Sequence, residues 1–389
     1  MNKVIRDLVV FFKKRLKKLK LKNLPLHEPI LTYDDQKILS KCIKSGYVSS
    51  IGDYVKLFEQ KLKKFTKSKF VITTVNGTAG LQIALKLIGL KKNEEVLVPA
   101  LSFIAAPNSV IYNHGIPHFV DVEKNHFGVH PKKLENYLKN NTLKRNQLCI
   151  NKKTQRVIRA IIIVHVFGHS AEIKGLIKIA KKYNIKIIED AAEALGSFNN
   201  KKHLGTFGDV GVISFNGNKI ITTGGGGAIL TNNKLMAEKA YKLTTTFRKN
   251  HKWEYIHDEL GYNFRLPNIN AALGISQMKK LKKYINSKRK LFKLYENFFI
   301  NYNKFFSLVK EPKNCKSNYW LQTIILNKNF SSKKNHILNE FHKHGILIRP
   351  VWKSLHKQKF LKKYPKMNLN NTKDLEKRII NLPSSSYLF

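Results

Sequence analysis

Short apolar runs separated by helix-length stretches constrain this chain most. Phe70–Thr73, Glu95–Val98, His118–Val122, Ala160–Val164, Ile185–Ile188, Val210–Phe215 and Gly227–Thr231 read as strands. Between several of them, stretches such as Gly80–Ile88, Ile173–Tyr183 and Lys234–Lys242 carry a helical pattern. Strands that are continuous Val/Ile runs have no solvent face, so helices must cover them on both sides. That is the signature of an α/β fold with a mainly parallel central sheet. Lys139–Arg156 is polar and lysine-rich and reads as an excursion between elements rather than core. After about Leu266 the pattern changes to a long lysine-rich helical stretch, Ile269–Phe299. A mixed segment follows, with Tyr319–Leu326, Asn335–His344 and Ile346–Arg349. The 389 residues allow a large domain with a smaller partner. We expect a basic N-terminal extension over residues 1–23, a large α/β domain over 24–265 and a smaller C-terminal α+β domain over 266–389. No repeat of solenoid length is present.

Lys and Arg number 72 against 25 Asp and Glu, a formal net charge of +47. Such an excess raises the reading of a basic nucleic-acid-binding protein without catalysis, or of a protein on an anionic membrane. However, Lys, Asn and Ile are heavily used along the whole chain and share A/T-rich codons. The lysines are not gathered into a nucleic-acid-reading module, so compositional bias explains more of the charge and no nucleic-acid partner is expected. The excess still attracts phosphorylated, acidic small ligands. Residues 1–23 join an apolar run, Leu8–Phe12, to a dense series of lysines from Lys13 to Lys22. The run is too short to span a bilayer and no small-residue cleavage site follows it. A solvated extension is the expectation, with weak membrane-surface contact through 1–23 as the other reading. Cys42, Cys149 and Cys315 are far apart, which suggests a reducing, cytoplasmic compartment and no zinc site.

Ligands in open parallel sheets bind beyond the carboxyl ends of the strands, so the residues just after each run matter most. Asn76-Gly77-Thr78-Ala79-Gly80 opens a helix after the first run, where backbone N–H groups can meet a phosphate or simply make a tight turn. Glu189-Asp190-Ala191-Ala192-Glu193 ends another; Asp190 is either an N-cap or a carboxylate that keeps a heterocyclic nitrogen protonated. Lys219 follows Ser214-Phe215-Asn216-Gly217-Asn218 and precedes the glycines 224–227. It is a surface lysine or a functional amine; a functional one must be desolvated or set near other cations. His165 and His169 have no acidic or cysteine partner at metal-ligand spacing in sequence, so no metal is expected.

Together these pieces resemble the DegT/DnrJ/EryC1/StrS family of sugar aminotransferases from about Leu24 onward. The likeness rests on Asn76-Gly77-Thr78, Val98-Pro99 with Ser102-Phe103, Val164-His165 with Gly168-His169, Glu189-Asp190-Ala191-Ala192, Ser214-Phe215 with Lys219, glycines 224–227, and Gly261-Tyr262-Asn263-Phe264-Arg265. Each piece is weak; their order and spacing are specific. Leu24–Pro29, Tyr47–Gly52, Ile150–Thr154, Glu254–His257 and Glu193 look more narrowly like the branch of the legionaminic acid and bacillosamine pathways.

The resemblance implies a fold type I pyridoxal-phosphate enzyme that aminates C4 of a 4-keto-6-deoxy nucleotide sugar, with glutamate as donor. It makes Lys219 the covalent partner of the cofactor aldehyde and the proton carrier, and pairs Asp190 with the pyridine nitrogen. It stacks Phe103 on the ring and sets Gly77, Thr78 and Ser214 at the cofactor phosphate. Asn263 would reach that phosphate from a second subunit, which implies a homodimer with shared sites, and Arg349 would lie near the nucleotide sugar. Related sugar dehydratases use the same cofactor but carry histidine in place of the lysine, so Lys219 argues against that alternative. The chain departs from the family at Glu193, where Gln or His is usual at the ring hydroxyl. It departs again at Gly80, early in a helix at a cost of about 1 kcal/mol relative to Ala, and at its stop at Phe389, where relatives usually continue into a helix.

Overall fold

The structure is a computed structural model and describes residues 2–249 and 251–389. All seven apolar runs enter one sheet: β1 (Phe70–Thr74), β2 (Glu95–Pro99), β3 (Ile116–Val120), β4 (Ile158–Val164), β5 (Lys186–Asp190), β6 (Val210–Ser214) and β7 (Gly227–Thr231). Their spatial order is β1-β7-β6-β5-β4-β2-β3. β7 is antiparallel to both its neighbours, while the other pairs are parallel. In register, Asp190 lies beside Val164 of β4 and Val212 of β6, so three strand ends are level at the carboxyl edge.

Helix α1 (Asn2–Leu19) begins the chain, and helix α2 (Gly77–Leu87) crosses from β1 over β6. A Cβ on Gly80 would come within 2.8 Å of Val212 Cγ1. The glycine is therefore what lets α2 sit against the sheet, a packing gain that its poor helix propensity does not reveal. A second, four-stranded sheet in the order 306–308, 322–326, 379–382, 349–350 lies in the C-terminal part. Helix α3 (Asn268–Phe299) joins the two regions. Its first half packs Ala271, Ile275 and Leu281 with Phe58 and Phe215; its second half packs Leu291, Tyr295 and Phe299 with Ile324, Phe341 and Ile380.

Two expectations need correcting. The lysine-rich excursion contributes to the core: residues 142–151 form a hairpin, and Cys149 is buried with Leu97 and Ile158. Asn151 Nδ2 and Thr154 Oγ1 donate to the buried Glu95 carboxylate at 2.9 and 2.5 Å, beside His118 Nδ1 at 2.7 Å. Nor is α1 a solvated extension. Val4, Ile5, Leu8, Val9, Phe12 and Leu16 are buried against Leu291, Tyr295 and Phe341, with ring centroids of Phe12 and Tyr295 5.8 Å apart. Lys3, Arg6, Lys13, Lys14, Lys17 and Lys18 occupy the outer side. Leu8, Phe12 and Leu16 follow at one-turn spacing, so the basic series interrupts the apolar stripe only in linear sequence. No helix among the described residues is long and apolar enough to cross a membrane.

Truncating a buried aromatic costs about 3–5 kcal/mol, whereas an exposed lysine contributes within about 0.5 kcal/mol. Phe12→Ala is therefore expected to lower the urea midpoint markedly and Lys13→Ala to leave it unchanged. Equal midpoints for both variants would show that α1 is undocked.

Candidate active site

Successive strand side chains face opposite sides of a sheet, and at the end of β5 this separates two carboxylates. Glu189 is held in the interior by the N–H groups of Gly205 (2.8 Å), Phe207 (2.5 Å) and Gly208 (2.7 Å). His165 completes the shell: Nδ1 accepts from Ala171 N at 3.2 Å, so Nε2 is assigned as the donor to Glu189 Oε2 at 2.9 Å. Burial is the largest influence on Glu189 and pushes its carboxyl up. His165 and the surrounding N–H groups together outweigh it and hold the group below its ordinary value. The acidic partner that His165 lacked in sequence is thus Glu189, while His169 packs edge-on against Tyr319 at 5.2 Å.

Asp190 points the other way. Its Oδ1 accepts from Ala192 N at 3.1 Å, and Oδ2 has no donor among the described residues. No helix begins there, so the N-cap reading fails; the bond to residue i+2 is an Asx-turn. Burial raises the Asp190 carboxyl, opposed by the Ala192 N–H, Lys219 and His165. A carboxylate oxygen with a free acceptor position, on an otherwise buried side chain, is suited to a cationic N–H.

Lys219 lies in the turn after β6, its side chain only 13% exposed. Its Nζ is 3.5 Å from Glu193 Oε1 and 4.1 Å from the centroid of the Trp320 ring. The second Glu193 oxygen accepts from Phe167 N at 2.7 Å, and Phe167 sits in the left-handed region at φ 57°. Burial, countered by Lys219 and the Phe167 N–H, pushes the Glu193 carboxyl up to about 7. Lys219, Glu193 and Asp190 therefore share one space at the carboxyl edge of the sheet.

Beside that space, Asn76 caps α2, accepting from Ala79 N at 2.8 Å through its side chain and from Gly80 N at 3.1 Å through its carbonyl. This leaves the N–H groups of Gly77 and Thr78 as the open donors of the turn. A Cβ on Gly77 would stand 3.1 Å from Ser214 Cβ, so glycine avoids a crowded contact between α2 and β6. Phe103, after β2, is 54% exposed, its ring 6.4 Å from that of Trp352. An open helix N-terminus, a free carboxylate oxygen, a mostly shielded amine and an exposed aromatic face fit a phosphorylated pyridine aldehyde.

Two expected residues are not joined to this cluster within the chain. Asn263 is exposed, its backbone bridged to Thr245. Arg349 is exposed on the edge of the second sheet, with Nη1 3.0 Å from His342 Nε2. Sequence reasoning missed Trp320, Trp352 and His27. Trp320 and Trp352 precede no feature of the large sheet, although Trp is scarce, with three in the chain. His27 packs near Trp320 with both ring nitrogens shielded and unpartnered; burial, then Lys288 and Lys219, hold its pKa well below the usual range.

The model of the DegT/DnrJ/EryC1/StrS aminotransferase family matches residues 29–388. A GDP-perosamine synthase of Escherichia coli O157:H7 is 33% identical over 94% of both chains. A UDP-4-amino-4,6-dideoxy-N-acetyl-beta-L-altrosamine transaminase of Campylobacter jejuni is 31% identical, covering 91% of this chain and 92% of its own. Among solved structures, Helicobacter pylori PseC, an aminotransferase involved in the biosynthesis of pseudoaminic acid, superposes with a TM-score of 0.85. It is 26% identical over 93% of this chain and 94% of its own.

Glu193 gives a pH test. With its pKa raised to about 7 in the fold, the folded protein holds a proton that the unfolded chain has released. Stability is therefore lost as pH rises from about 4.5 to 7. Glu193→Gln removes that loss. Cofactor-free Glu193→Gln should gain on the wild type, on the order of 2 kcal/mol, between pH 5 and 7.5. A pH-independent difference in Tm would refute the buried, protonated state.

Proposed function

The chain belongs to the DegT/DnrJ/EryC1/StrS aminotransferase family, and from that membership we propose that it transfers an amino group from L-glutamate to C4 of a 4-keto-6-deoxy sugar carried on UDP or GDP. It is a pyridoxal-phosphate-dependent nucleotide-sugar aminotransferase; sugar, donor and pathway are our reading. The products would be a 2-oxo acid and a 4-amino sugar for cell-surface glycan or nonulosonic acid synthesis. One relative is named for a 4-amino-4,6-dideoxy sugar, which supports amination at C4. The motif residues favour the legionaminic acid and bacillosamine branch. Relatives named for GDP-perosamine and for a UDP-linked altrosamine are about equally similar and do not single that branch out.

The observation that carries this reading is the gathering of Lys219, Glu193 and Asp190 at the carboxyl edge of the sheet, close enough to act on one another's charge. When bound, pyridoxal phosphate supplies an aldehyde for the amino group and a ring that takes up electrons. Gly77, Thr78 and Ser214 would hold its phosphate, Phe103 would cover one ring face, and Asp190 Oδ2 would hold the proton on the ring nitrogen. Glu193, protonated near neutrality, would donate to the ring hydroxyl where Gln or His serves elsewhere. Lys219 Nζ would take a proton from the donor Cα and deliver one to sugar C4, acting as base and then acid.

We also propose a homodimer with shared sites. Trp253, Tyr255 and Leu260 are exposed on the segment leading to Asn263, and Tyr47 and Ile51 are exposed near the N-terminus. Apolar groups of this size favour burial against a partner, which would let Asn263 reach the partner's cofactor phosphate; Arg349 would face the nucleotide. The protein would be cytoplasmic. Because α1 spends its apolar face on the second sheet, contact of residues 1–23 with a membrane reduces to the outward lysines.

Two measurements test the assignment. Purified protein should show the visible band of lysine-bound cofactor, and Lys219→Ala should abolish it. Incubation of a panel of 4-keto nucleotide sugars with glutamate should give one aminated product by mass spectrometry. A band unchanged in Lys219→Ala would remove the lysine from its role, and no product from any panel member would reject the substrate class.

A further inference from the structure

Trp320 reaches the turn that carries Lys219 from a part of the chain distant in sequence. It is almost completely buried and held from two sides. On one side, Trp320 N donates to Asn318 Oδ1 at 2.8 Å, while Asn318 Nδ2 donates to the carbonyls of Glu193 and Leu195, each at 2.9 Å. The indole is thereby tied to the loop that bears Glu193. On the other side, the Trp320 carbonyl accepts from Lys288 Nζ at 3.0 Å, and the same amine donates to the carbonyl of Ser384. Lys288 is fully buried with no carboxylate in contact among the described residues, so burial pushes its pKa far down; carbonyl oxygens are its partners. The indole that results from these anchors makes two contacts. Nε1 donates to the carbonyl of Asn218 at 2.7 Å, and the ring centroid is 4.1 Å from Lys219 Nζ.

We propose that Trp320 is a positioning residue for Lys219: its indole N–H fixes the peptide carbonyl just before the lysine, and its ring face holds the amine whenever that amine is not covalently engaged. A lysine that must be released and recaptured in every cycle carries a flexible four-carbon stem. Unrestrained, it would sample many rotamers away from the reacting atoms, a misplacement that slows chemistry without altering substrate affinity. The electron-rich indole face attracts the ammonium and restrains it 4.1 Å from the ring centroid. Trp320 thereby transmits the seating of the 318–320 segment to the reactive amine. No atom of Trp320 exchanges protons or bonds in this role.

This inference rests on Lys219 being the reactive amine of the proposed function, so its test is read without cofactor or substrate. Cofactor-free protein is acetylated with limiting acetic anhydride at pH 8, and modification of the Lys219 peptide is quantified by mass spectrometry against the other lysine peptides. Losing a cation–π contact in an enclosed site should free the amine by about tenfold. Trp320→Leu is expected to raise Lys219 labelling by about that factor, with the reference lysines unchanged. Trp320→Phe, which keeps a ring face, should return it to within about threefold of wild type. In the loaded enzyme Trp320→Leu should lower kcat more than about tenfold while KM for sugar and donor moves less than about twofold. Should Trp320→Leu fail to fold, replacing the three tryptophans by a fluorinated analogue keeps shape and N–H but weakens the ring face, and Lys219 labelling should again rise. Unchanged labelling in the folded leucine variant, or in the fluorinated protein, overturns the proposal even if the enzyme proves to be an aminotransferase. A rise in labelling with no turnover on any sugar would instead leave Trp320 holding the lysine and remove the substrate assignment.

Discussion

The site depends on strand alternation at the end of β5. Two consecutive carboxylates must leave the sheet on opposite faces, and their surroundings divide their roles. Glu189 accepts three backbone N–H groups and one imidazole N–H, so its charge is fully spent inside the protein. Asp190, one residue on, accepts a single N–H and keeps an oxygen open. A buried carboxylate without a full set of partners is costly. It becomes favourable when a cation fills the remaining position. The scaffold thus tolerates one incompletely partnered acid beside a lysine, and the expense of holding it is offset by the surrounding packing of β4, β5 and β6.

Around that acid, segments remote in sequence converge. Residues after β1, β2, β4, β5 and β6 all meet at the carboxyl edge because parallel strands bring every such end to the same side. The C-terminal part closes the space with Trp320, anchored through Asn318 and Lys288. The N-terminal strand-like segment is laced between the two: Leu24 pairs with Ile346, and Ser384 N donates to Leu26 O at 2.6 Å. That threading delivers His27 to the edge of Trp320. Helix α1 seals the far side of the second sheet, so each end of the chain is fastened to the region that carries Trp320.

Much of this was legible in the sequence, and the physical reason is periodicity. Strands buried on both faces announce themselves as unbroken Val/Ile runs, so all seven were found, within a few residues at each end. The rule that such sheets present chemistry at one edge directed attention to the residues after them, including Asp190 and Lys219. Only the family likeness chose between an N-cap or surface lysine and a functional group. What stayed hidden was long-range. The docking of α1 was masked because Lys13 and Lys14 interrupt an apolar stripe that only the helical turn reassembles. The hairpin at 142–151 was masked because its buried members, Cys149 and Asn151, sit among lysines. Gly80 looked like a defect until Val212 was seen beneath it. Trp320 carried no local signal for Lys219, since nothing in linear sequence links an indole to an amine so far upstream. Asn263 and Arg349 rested on the family likeness alone, and within one chain neither is tied to the Lys219 cluster.

Asp190 Oδ2, left without a donor among the described residues, is the group we propose to keep a ring nitrogen protonated. Nitrogen NMR of the protein loaded with pyridoxal phosphate labelled at that nitrogen reads the protonation state directly. The wild type should give a pyridinium shift at pH 8 and Asp190→Asn a neutral-pyridine shift with the cofactor still bound. A neutral ring nitrogen in the wild type, or the same shift in both proteins, would contradict that role for Asp190.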